Sequence, residues 1–324
     1  MATNHSRSRG SFSAPRHGRY RAVAALFLLL LPLTGEAGIE GSARGEAPAA
    51  RIVSLVPAVT ETLFALDLGP RVVGVSIACD YPEQARRLPK VGSFVEPVAE
   101  AILSLTPDLV LTSPTPGNQP AVRALERAGI RIAVVRSEGG IAEAQAAIAG
   151  VASAAGANEA GARLIEALQH EISQLAARTR NLERPPVAIV VGREPLVLAG
   201  TESYLGELLE IAGGRNVAAG LTGRWPRVGY EFLIEAGPQI LIDLTLAMGG
   251  PDDGSTAEVA NAAWSKYGTI PAVKNGRIHP GARVGGSAAD ASMLLRPGPR
   301  LGRSAALLAS WIHPELAEPD GGSR

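Results

Sequence analysis

Two glutamates occupy matching places in the chain, each six residues after an aromatic: Phe94 precedes Glu100, and Trp225 precedes Glu231. An aromatic face can stack on a flat apolar solute, or it can simply be core. A carboxylate in a first helical turn complements the helix dipole for about 0.3 to 1 kcal/mol, or it faces a basic partner. The match runs on from each glutamate. Residues 100–111 and 231–242 both read as a helix opened by glutamate, stopped before Pro107 or Pro238, and turned into a buried strand. Further back, Thr60-Glu61-Thr62 pairs with Thr201-Glu202-Ser203, each opening a helix that closes in a glycine turn before Arg71-Val72 or Asn216-Val217. The economical reading is two related lobes.

Catalytic chemistry has little to work with, and the chain is not read as an enzyme. It contains no nucleophile-elbow pattern, no phosphate loop and no His-Glu-x-x-His helix. Cys79, the sole cysteine, stands beside Asp80 as a nucleophile could, but a small buried thiol fits it better. His170, His279 and His313 are too dispersed for a three-histidine cage, and the tyrosines are scattered, so neither a bound metal nor another cofactor is expected. The loop Gly249 to Gly254 reads as a turn and lacks the remaining ligands of a calcium loop.

These residues need elements to place them. With 324 residues, 46% hydrophobic and 19% charged, the chain can bury a sizeable core. From Arg51 onward, short branched-apolar runs alternate with helical patterns, which predicts parallel sheets covered by helices. Strands are expected at 52–55, 72–75, 109–112 and 132–135, then at 187–191, 240–243 and 278–279. Helices are expected at 60–66, 96–105 and 119–128, then at 204–212, 230–236, 257–266 and 300–311. Between the two sets, Ala162, Ile165, Leu168, Ile172, Leu175 and Ala176 share one helical face over 158–182, with Asn158 as cap and Pro185-Pro186 as stop. Such a helix either joins the lobes as a stiff connector, which limits them to slight closure, or forms a hairpin packed on one of them. The expected fold is α/β, with two pseudo-equivalent lobes of mainly parallel sheet joined by a single long backbone helix. Its divisions are a signal peptide at 1–37, a leader at 38–50, an N-terminal lobe at 51–157, the connecting helix at 158–184, a C-terminal lobe at 185–314 and a tail at 315–324.

The amino-terminal division rests on Arg7, Arg9, Arg16, Arg19 and Arg21, followed by an apolar run from Ala22 to Leu31 and small residues up to Gly38. That order reads as a cleavable secretory signal, and the run is short for a bilayer span of about 20 residues. No cysteine follows it to carry a lipid. The expectation is an exported, periplasmic protein that is not lipid-anchored. Lysine and arginine balance aspartate and glutamate at 31 each, and removing the basic leader leaves a mildly acidic body, which argues against nucleic acid.

Several segments carry a resemblance: 51–55 with Pro57 and Thr60-Glu61, 74–76 with Asp80-Tyr81-Pro82, 91–111, 200–203, 213–217, 225–228 with Glu231, 272–278, and Arg296-Pro297-Gly298-Pro299-Arg300. Their order and spacing resemble the helical-backbone periplasmic binding proteins of ABC importers, which serve cobalamin, haem and ferric siderophores, and the cobalamin-binding subgroup most of all. The resemblance implies a monomer that holds a small molecule between its lobes and hands it to a permease and its ATPase at the inner membrane. It implies ligand contacts at Tyr81, Phe94, Val197 and Trp225, with Pro114 to Gly117 and Ser292-Met293 at the rim, and permease docking through Glu100 and Glu231. A corrinoid is the expected ligand, with haem or a ferric siderophore as alternatives. For those, Arg193, Arg224, Arg227, Arg283, Arg296 and Arg300 could grip carboxylates or propionates unless solvated. Tyr81, His279 or Met293 could serve as an axial ligand. An exported enzyme on a similar scaffold is the lesser alternative.

Overall fold

The computed structural model describes residues 49–137, 139–248, 257–281 and 291–316. The expected signal peptide, most of the expected leader, the 249–254 loop, Arg283 and the end of the expected tail lie outside the described residues.

The first lobe runs β1 (Ile52–Ser54), α1 (Pro57–Ala65), β2 (Val72–Val75), α2 (Glu83–Arg86), α3 (Ala99–Ser104), β3 (Leu109–Thr112), α4 (Gln119–Arg127), β4 (Arg131–Val134) and α5 (Ile141–Ala154). Its strands pair in parallel in the order β2-β1-β3-β4. A parallel sheet is buried on both faces, and the strands are apolar on both. Ile52, Leu109 and Leu111 face one core, whereas Val53, Leu55 and Val110 face the other.

After α6 (Asn158–Thr179) the second lobe runs β5 (Pro186–Arg193), β6 (Leu196–Leu198), α7 (Tyr204–Ile211), β7 (Arg215–Asn216), α8 (Tyr230–Ala236), β8 (Ile240–Asp243), α9 (Ala257–Ser265), α10 (Pro271–Lys274), β9 (Ile278–Pro280) and α11 (Leu301–Ile312). The strand order is β6-β5-β8-β9, with β7 also on β5. All pairings are parallel except the β5–β6 hairpin. The Thr201–Ser203 signal is a true helix start: Ser203 Oγ accepts the Gly206 N–H at 3.1 Å.

The internal repeat is structural. Glu100 and Glu231 each stand second in their helix, α3 and α8, and both are exposed. Two residues on, Ile102 and Leu233 are fully buried, and the next residues, Leu103 and Ile234, are exposed. Each helix is followed by a residue in the left-handed region, Thr106 (φ 45°) and Gly237 (φ 54°), six residues after its glutamate.

Helix α6 is 22 residues long, about 33 Å at 1.5 Å per residue. It stops at Thr179 rather than reaching Leu182. Ala157, not Asn158, occupies the cap position, and no side chain caps it. The inward face is Gly161, Leu168 and Leu175, with Leu164, Ile165 and Ile172 partly buried beside them, whereas Ala162 points to solvent. The helix joins both lobes and also pairs with α5. Ala160 and Leu164 pack in the core of the first lobe, while Ile165, Leu168, Ile172 and Leu175 pack with β5, α7 and α11 of the second.

Candidate cleft between the lobes

Parallel strands send their following loops to one edge of the sheet, where ligands of open α/β folds bind. In the first lobe the loops after β1, β3 and β4 contribute Val56, Ser113, Val135 and Ser137, and the start of α1 contributes Pro57 and Ala58, to a cavity of about 270 Å³. Phe94 lines it too, and Leu295 and Pro297 arrive from the chain after the second sheet.

Phe94 and Trp225 are 37% and 39% exposed, unusual for rings that a core would otherwise absorb. Each rides on a loop backed by glycine. A Cβ on Gly117 would stand 2.8 Å from the Val95 carbonyl oxygen, so the Phe94 loop can seat there only against glycine. A Cβ on Gly200 would collide with the Gly223 carbonyl oxygen, and Gly200 N–H donates to Arg224 O at 2.9 Å. The Trp225 ring meets Tyr204 edge-on, centroids 6.2 Å apart. Tyr204 in turn donates its hydroxyl to Leu294 O at 2.9 Å, and burial pushes that phenol far up. Tyr204 is the contact that the sequence reading missed, having taken it only as a helix start.

The remaining expected contacts are placed as follows. Tyr81 is half-buried, with the Arg300 guanidinium 4.0 Å over its ring. Val197 lies in β6 and bridges to Arg227. Pro114 is half-buried and Gly117 exposed, in the loop after β3, where the buried Thr115 Oγ1 has no hydrogen-bond partner among the described residues. Ser292 and Met293, expected at the rim, are each only 3% exposed, and the Met293 carbonyl accepts from Ser304 Oγ. His279 stacks on Trp311, centroids 5.4 Å apart.

Three of the arginines expected to meet an anionic ligand, Arg193, Arg296 and Arg300, are engaged within the protein. Arg300 donates Nε and Nη2 to the two carboxylate oxygens of Glu61, each at 2.7 Å. Arg296 Nη1 bridges Glu61 Oε1 at 3.0 Å and Asp80 Oδ1 at 2.7 Å. A guanidinium whose prongs are held by buried carboxylates is not free for a ligand. Arg193 Nε is paired with buried Asp243 at 2.7 Å, and its Nη2 has no partner among the described residues, whereas Arg224 and Arg227 flank Trp225 in solvent. Cys79 is fully buried, receives a hydrogen bond from Thr60 Oγ1 at 3.1 Å, and has its thiol pushed up by burial, which suits an inert core sulfur.

A family model described as periplasmic binding protein matches residues 52–279. An ABC transporter substrate-binding lipoprotein of Bacillus subtilis is 29% identical over 273 residues, covering 82% of this chain and 80% of its own. A vitamin B12-binding protein of Vibrio parahaemolyticus is 26% identical over 231 residues, covering 71% of this chain and 80% of its own. Among solved structures, the periplasmic haem-binding protein RhuT of Roseiflexus sp. RS-1 superposes with a TM-score of 0.67 at 26% identity, over 83% of this chain and all of that one.

Proposed function

Because the chain belongs to the periplasmic binding protein family, we propose that it is an exported solute receptor that grips cobalamin or a related corrinoid between its lobes and presents it to an ABC permease. The carrying observation is the pair of exposed rings, Phe94 and Trp225, at equivalent places on the two lobes. A corrin is a broad, mostly apolar plate with polar edges, which calls for stacking surfaces and a few hydrogen-bond donors. Thr115 Oγ1 and the backbone of 114–118 are candidate donors and acceptors for such an edge. The vitamin B12-binding relatives support this reading. The buried neutralisation of Arg296 and Arg300 favours a cargo without carboxylates at that wall. Delivery through Glu100 and Glu231 fits two matching carboxylates meeting a two-fold permease.

Haem or a ferric siderophore is the second reading. The RhuT likeness and the exposed Arg224 and Arg227 beside Trp225 favour it. Absorbance titration of the purified protein with cyanocobalamin, haem and ferric chelates decides between them. Saturable one-to-one binding of cyanocobalamin is expected, and saturation by haem alone would transfer the proposal to the second reading.

A further inference from the structure

Two short sequence motifs that lie at opposite ends of the chain, Thr60-Glu61 and Arg296 to Arg300, meet in the folded protein. Glu61 stands on α1 of the first lobe and is 2% exposed. Arg296 and Arg300 stand just before α11, which packs in the core of the second lobe, and each is 9% exposed. The Arg300 fork grips both oxygens of Glu61, and Arg296 spans Glu61 and the partly exposed Asp80, so two cations balance two anions, with Glu61 and both arginines buried. The residues that carry this cluster also frame the cavity. Pro57 and Ala58 lie one turn before Glu61, Leu295 and Pro297 flank Arg296, and all four line the cavity wall. The Arg300 guanidinium also covers the Tyr81 ring at 4.0 Å.

Burying three charges where aliphatic packing would be as stable is a poor way to gain stability, and forked guanidinium–carboxylate pairs are strongly directional. We infer that Glu61, Arg296 and Arg300 are positioning residues of the binding cleft: they clasp the two lobes at one separation and hold Tyr81 in a fixed attitude beside it. A second tie lies where α5 meets α7. There Glu207 Oε2 accepts the Ile141 N–H at 2.9 Å, and the Tyr204 N–H donates to Gly139 O at 3.1 Å. The connecting helix therefore does not set the gap by itself, and the clasp is the tie nearest the cavity.

This inference rests on the cleft being the ligand site, but its test does not depend on the cargo. Spin labels at Glu126→Cys on α4 and Glu235→Cys on α8, both exposed positions with Cys79 buried, report the interlobe distance in the ligand-free full chain. The unmodified clasp should give one narrow distance. Glu61→Gln, which removes the charge, and Arg300→Lys, which keeps the charge but loses the fork, should each broaden it and add a longer population. In a ligand titration each should raise the cyanocobalamin Kd about tenfold, the penalty when the competent arrangement is populated about a tenth of the time. A cluster that served only stability would lower the melting temperature and leave the distance in the folded fraction unchanged. That unchanged distance in Arg300→Lys, or in a folded Glu61→Gln, would overturn the clasp. A broadened distance with no cyanocobalamin binding would uphold the clasp and reject the corrinoid.

Discussion

In the proposed site Trp225 is the expected anchor, because a large ring half exposed on a tyrosine support gains most when a solute covers it. Trp225→Ala should weaken ligand binding by about 2 kcal/mol, as truncating an aromatic anchor does. An unchanged dissociation constant by absorbance titration would remove the indole from the contact set. His279 gives a separate check on the packing of the second lobe. Burial, and then the charge of Arg277, hold its imidazole below the ordinary histidine value. The unfolded chain therefore takes up its proton first, near pH 6.5. Its contribution to stability is full above that point and is lost as the pH falls through the lower folded value. His279→Gln should flatten this part of a denaturation curve measured against pH, and an unaltered acid slope would assign the titration to another group.

At the scale of elements, the repeat supplies its own control. Thr106 and Gly237 hold the same left-handed place after α3 and α8, but only glycine adopts it without steric cost. Thr106→Gly should stabilise the first lobe by a few tenths to about 1 kcal/mol, read as a higher melting temperature. A lower one would show that the threonine side chain earns its position. Gly200→Ala should displace the Trp225 loop, because the added Cβ collides with the Gly223 carbonyl oxygen, and weaken binding without unfolding the protein. Full affinity in a folded Gly200→Ala would contradict that seating. These elements were largely legible in the sequence, since branched-apolar strands and the glutamate-to-proline units carry strong local patterns. Helix α5 went unassigned because its alanine-rich residues 141–154 show no clear apolar stripe. Strands β6 and β7 are three and two residues long, too short for any period to register. The contact between Glu61 and Arg300 spans 239 positions, and a charge pair at that range leaves no trace in spacing. The exposed rings, by contrast, were found because the repeat placed them alike.

For the whole molecule, the proposed function assigns receiving a solute and delivering it to separate surfaces. Glu100 and Glu231 are exposed and lie outside the residues lining the cavity. The double variant Glu100→Ala with Glu231→Ala should therefore keep ligand affinity within about 1 kcal/mol while uptake by cells collapses. Undiminished uptake would refute docking through these carboxylates. Among the described residues no helix is long and apolar enough to cross a membrane. The central claim is that one solute touches both lobes at once. Hydrogen exchange with and without saturating cyanocobalamin tests it most directly, because the loops at 93–98 and 223–228 belong to different lobes. Slowed exchange in both loops together is the expected result, whereas protection confined to one lobe, or to neither, would contradict a solute held between them.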